Sequence, residues 1–159
     1  GCSVADDFDP IVHLEAAYDL CADALDVDEA LYFQRVSFTT ERVDAGDFRA
    51  SQADWEYRFV VPDPDDLWGY TWLDCRVKVT DGAVTTDSTY TAGTLTRIEP
   101  LIDSYGFGIL DALDDLGSFA SVTRGGIRWD RNSAAGEVYL VDDRWNDEDT
   151  WNTRTGERD

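Results

Sequence analysis

The sequence is poor in the residues that most reactions and most membrane spans require. It holds one histidine, one lysine, three cysteines and four prolines in 159 residues. No uninterrupted apolar run approaches the ~18 residues of a membrane helix, so no helix is expected to cross a bilayer. With His13 the only imidazole, a Ser–His or Cys–His nucleophile pair has one possible base, placed early on a helical pattern. Hydrolysis of that kind is excluded. Three cysteines and one histidine match no zinc spacing. No glycine-rich loop follows a strand, because Gly106 and Gly108 lie inside a helical pattern, so no phosphate cradle is expected.

Positive charge is equally scarce. Thirteen Lys and Arg stand against 34 Asp and Glu, a formal net charge of −21. Such a surface repels phosphate backbones, which excludes nucleic acid as a partner. The first cation is Arg35, and the segment before it carries only acids. A solvated, soluble surface follows from that bias. Apolar residues at 43% and aromatics at 13% are ample for a packed core, and the length suits one domain.

The chain divides into a short polar tether over residues 1–8, an α+β domain over 9–141, and a polar C-terminal segment over 142–159. Asp9-Pro10 is a helix start, the Asp accepting orphan amides and the Pro fitting the first turn. Ile11, Leu14, Tyr18, Cys21 and Leu25 then recur at helical spacing, which predicts an amphipathic helix over 10–26 with Cys21 facing inward. Beyond it the period changes to two. Val36 and Phe38 alternate with polar neighbours, Trp55, Tyr57, Phe59 and Val61 share one face, and Cys75, Val77 and Val79 share another. Asp81-Gly82 signals a hairpin returning through Val84 to Tyr90. A second helix is expected from Pro100 to Leu116, with Gly117 capping it. Strands follow over 122–129 and 137–141, around a turn at 132–136. One short edge strand is expected near Trp151 before the chain frays. The fold class is therefore α+β: an antiparallel sheet of five to seven strands with two amphipathic helices packed on one face.

The order of features from Trp55 onward is that of a recognisable series. Tyr57-Arg58-Phe59, Cys75-Arg76-Val77-Lys78-Val79 and Asp81-Gly82-Ala83-Val84 come first. Pro100-Leu101-Ile102-Asp103, Ile127-Arg128-Trp129-Asp130, Glu137-Val138-Tyr139-Leu140-Val141-Asp142 and Asn146-Asp147-Glu148 complete it. This series resembles an uncharacterised family of small secreted bacterial proteins, many of them lipoproteins, known as a domain of unknown function. The resemblance implies export and this architecture, and transfers no catalytic residue. Gly1-Cys2 followed by Ser3, Ala5, Asp6 and Asp7 likewise resembles the mature start of a bacterial lipoprotein, with Cys2 as the lipidated residue. Gly1 is either the end of a lipobox or a tag remnant.

The remaining cysteines are expected to pair. Cys21 faces the sheet from the helix, Cys75 faces the helix from its strand, and an oxidising compartment lets them bond. The alternative is two buried thiols. Calcium has weak candidates in Asp63, Asp65 and Asp66, and in Asp147 and Asp149 within the late acidic cluster. Neither group has the ligand spacing of an EF-hand. Trp68 and Trp72 are weak candidates for binding, either on a sugar-stacking surface or on an aromatic loop over 67–72. The function these features imply is a noncatalytic domain, lipid-anchored in the cell envelope or periplasm, that binds an envelope protein or polymer without a cofactor. The alternatives are a carboxylate-dependent hydrolase acting on sugars, marked by two carboxylates beside an exposed Trp, and an inhibitor of a secreted enzyme.

Overall fold

The computed structural model describes residues 10–79, 81–90, 94–130 and 135–159. Seven antiparallel strands form one sheet: β1 (Tyr32–Asp44), β2 (Asp54–Pro62), β3 (Trp72–Lys78), β4 (Val84–Thr89), β5 (Ser121–Asp130), β6 (Ala135–Asp142) and β7 (Asp147–Asn152). Their spatial order is β4-β3-β2-β1-β5-β6-β7. Two meanders, β1–β4 and β5–β7, thus meet where β1 pairs with β5. Three helices complete the fold: α1 (Leu14–Leu25), α2 (Ile98–Ser104) and α3 (Ile109–Leu116). α1 packs over β2, β3 and β4, whereas α2 and α3 lie over β6.

Alternation decides which face is covered. Phe33, Val36 and Phe38 of β1 pair with Phe59, Tyr57 and Trp55 of β2, and all six are buried on the helix side. Ile127, Val138 and Trp151 continue the same face across β5, β6 and β7. Burying each of these large side chains stabilises the fold by about 1.5–3 kcal/mol before entropy is counted. Leu14, Ala17 and Cys21 are the buried stripe of α1. Tyr18 of α1 meets Phe59 edge to face, 5.5 Å between ring centres, and its hydroxyl accepts the Leu31 amide at 2.9 Å.

Two helices differ from expectation. The first starts a turn late, at Leu14, with residues 10–13 forming turns before it and Asp26 in a left-handed conformation (φ 50°) closing it. Its expected cap Asp9 lies outside the described residues, as does most of the turn at 132–136. The second helix is two helices. The Gly106 and Phe107 amides donate to the Thr153 carbonyl, at 2.8 and 2.7 Å, instead of continuing the helical ladder. Gly108 is extended and its amide donates to the Asp111 carboxylate at 2.9 Å, starting α3 afresh. The two glycines are thus the interruption itself, not a tolerated weakness inside one helix.

The C-terminal segment is structural. β7 is the edge strand expected near Trp151, but Trp151 is fully buried and the chain does not fray after it. The Asn152 amide donates to the Glu157 carbonyl, the Gly156 amide to Asn152 and the Asp159 amide to Thr150, so the last residues fold back along β7. The Trp151 indole donates to the Asp115 carboxylate of α3 at 2.8 Å.

Candidate binding surface

The loop over residues 63–71 joins β2 to β3 and is built around one carboxylate. Asp66 accepts the Trp68 amide at 3.0 Å through one oxygen. Its other oxygen accepts the amides of Tyr70 at 3.0 Å and Thr71 at 2.6 Å. The Thr71 contact first, and then the Trp68 amide, hold the Asp66 carboxyl below the usual carboxylate range. Asp63 accepts the Asp65 amide at 2.9 Å, its own amide donates to the Thr71 carbonyl at 3.1 Å, and Gly69 takes the left-handed turn position (φ 73°). The side chains between these anchors point outward: Leu67 is 95% exposed, Trp68 82% and Tyr70 69%. Tyr90, 78% exposed, follows β4 next to Thr89, the register partner of Trp72. Trp72 itself is half-buried, 5.7 Å from the Tyr32 ring, which carries the Arg97 guanidinium at 3.7 Å on its face. Trp68 is therefore displayed, whereas Trp72 packs against Tyr32.

The other tryptophans form no common platform. Trp55 and Trp151 are buried and Trp129 packs against the core margin. Trp145 is exposed beside Asp142, Asp147 and Asp149 in a cleft of about 280 Å³. That cleft has the acids and the tryptophan a sugar hydrolase would need, but two of the acids are engaged. Asp142 accepts the Arg144 amide at 3.0 Å, and Asp149 accepts the Arg158 guanidinium at 2.8 Å. A second cleft, of about 400 Å³, lies between Pro10, Trp55 and the start of α3.

The calcium candidates do not converge. Asp63 and Asp66 are spent on backbone amides, Asp149 on Arg158, and no three metal-ligating side chains group together among the described residues. His13 is exposed at the start of α1. Cys2 lies outside the described residues. Cys21 and Cys75 are bonded, with Cα atoms 5.7 Å apart and a sequence separation of 54. A disulfide of this kind points to an oxidising, extracytoplasmic location. No helix among the described residues is long and apolar enough to cross a membrane.

Sheet, helices and disulfide define the class: an α+β domain with a seven-stranded antiparallel sheet and three helices on one face. No family model, curated protein or solved structure matches the chain.

Proposed function

We propose that this chain is a noncatalytic, exported domain, lipid-anchored through Cys2, that binds a protein partner through the loop carrying Leu67, Trp68 and Tyr70. One observation carries the reading: three large apolar side chains stand almost free of the surface on a backbone pinned by Asp66. Exposed apolar groups of this size on an ordered loop lose little entropy on entering a pocket, which is how aromatic anchors come to dominate binding. Their protrusion suits a cleft in a protein better than a sugar chain, which stacks on a flat or concave platform. Asp63 and Asp65 flank the anchors and the whole chain is at −21, so the complementary partner has an apolar cleft with a basic rim. An inhibited secreted enzyme with such a cleft is one form of that partner.

The test compares capture from envelope extract by the soluble domain and by a Leu67→Ser, Trp68→Ser, Tyr70→Ser variant. The reading expects a basic protein retained by the first and lost by the second. An identical retained set contradicts it. Anchoring is tested separately: mass spectrometry of the precursor expressed in a bacterial host should find a diacylglyceryl mass on Cys2. A Cys2→Ser version that stays in the membrane fraction would contradict the anchor.

A further inference from the structure

The face of the sheet without helices carries six of the thirteen cations: Arg35, Arg58, Arg76, Lys78, Arg124 and Arg128. Four of them form a row. Arg76, Arg58, Arg35 and Arg128 are successive register partners across β3, β2, β1 and β5. Strands lie about 4.8 Å apart, and like charges directly opposite destabilise a sheet. Three of the four are neutralised where they stand. Asp74 accepts Arg58 at 2.8 Å and Arg76 at 3.2 Å, while Glu137 and Glu148 accept Arg128 at 2.7 and 3.1 Å. Arg35, in the middle, is exposed and has no ion-pair partner among the described residues.

Beside Arg35 is a second group without a partner. Tyr139 of β6 is only 5% exposed, and its hydroxyl, which solvent reaches, makes no hydrogen bond to another described residue. The ring lies across Gly126, the register partner of both Tyr139 and Ser37. A Cβ at Gly126 would stand 2.9 Å from the phenol oxygen. The Arg128 guanidinium sits 4.4 Å over the ring centre. Burial holds the phenol above its usual pKa, against the opposing pull of Arg35, Arg128 and Arg124, so at neutral pH it is a donor. A forked cation with no counter-charge and a donor with no acceptor thus meet on one face.

We propose that Arg35 and Tyr139 form a binding site for a carboxylate group. The planar fork of Arg35 matches a carboxylate in bidentate geometry, and the Tyr139 hydroxyl supplies a third donor. A singly charged group fits better than a phosphate dianion, because the carboxylates of Glu137 and Glu148 already lie against Arg128, the next member of the row. The site is independent of the 67–70 loop and stands whether or not that loop binds a protein.

The test is a titration of the folded domain with acetate at constant ionic strength and pH 7, followed by NMR at the Arg35 side chain and the Tyr139 ring. The expected result is saturable shifts at both groups. They should disappear in Arg35→Gln and need about fivefold more acetate in Tyr139→Phe, which keeps the ring over Gly126. Inorganic phosphate at pH 8 should bind more weakly than acetate. Linear, unsaturable shifts, or the same saturation in Arg35→Gln, would show an unspecific cation and overturn the site. Tighter binding of phosphate would overturn its assignment to carboxylates.

Discussion

The Trp68 amide is held 3.0 Å from the Asp66 carboxylate, two residues before it, while the indole it belongs to stands in solvent. One side chain therefore fixes the backbone beneath two exposed aromatic groups, Trp68 and Tyr70. Asp66→Ala should release the amides of Trp68, Tyr70 and Thr71 to rapid hydrogen exchange and leave those of β2 and β3 protected. Uniform loosening of the sheet would show that the loop is not an independent element.

The same carboxylate sets a pH dependence. Its folded pKa is depressed, so its ordering of the loop is complete above the ordinary carboxylate range. That ordering is lost as pH falls through the depressed value. Protection of the Trp68 amide, taken relative to its intrinsic exchange at each pH, should accordingly fall on acidification below the ordinary range, and Asp66→Asn should show no such fall. An equal acid response in both proteins would contradict this.

Breaking the Cys21–Cys75 bond opens a loop closed over 54 residues. The chain-entropy model puts the loss at about 4 kcal/mol. Urea unfolding of the oxidised protein against a Cys21→Ala, Cys75→Ala variant should show a loss between about 2 and 5 kcal/mol. No change in midpoint would mean that packing of α1 alone holds that layer.

Much of this architecture is legible in the sequence because alternation is legible. Trp55, Tyr57, Phe59 and Val61 share a buried face, and Cys75 opposes Phe59 in register, which brings its sulfur under α1. The split between α2 and α3 was hidden because its cause is distant: the Thr153 carbonyl, nearly fifty residues on, takes the two amides that a continuous helix would use. Gly106 and Gly108 were the available signal. The C-terminal segment reads as polar because its one large apolar anchor, Trp151, is surrounded by charged residues. Of the site residues, Trp68 is exposed as a loop aromatic should be, whereas the arginine row is invisible without the register that aligns four strands.

The anchoring of that segment gives a stability prediction. Trp151→Ala removes a fully buried indole and its bond to Asp115, and should cost about 3–5 kcal/mol. Asp115→Ala removes that bond and a long, exposed Arg158 contact at 3.9 Å but keeps the indole, and should cost about 1 kcal/mol. Equal losses in thermal or denaturant unfolding would contradict the division.

Gly126→Ala is expected to destabilise the sheet by about 1–3 kcal/mol, since its Cβ would fall 2.1 Å from the Val36 carbonyl and 2.9 Å from the Tyr139 hydroxyl. A Gly126→Ala, Tyr139→Ala double variant recovers only the second clash. Full recovery would place the whole constraint in the ring.

The central claim, that residues 67–70 seat in a protein partner, is tested most directly by placing a photo-crosslinking side chain at Trp68 in cells. Its control is the same side chain at Thr85, on the exposed strand β4. The account predicts an adduct with one protein from position 68 and none with that protein from position 85. No adduct from position 68, or the same adduct from both, would contradict it.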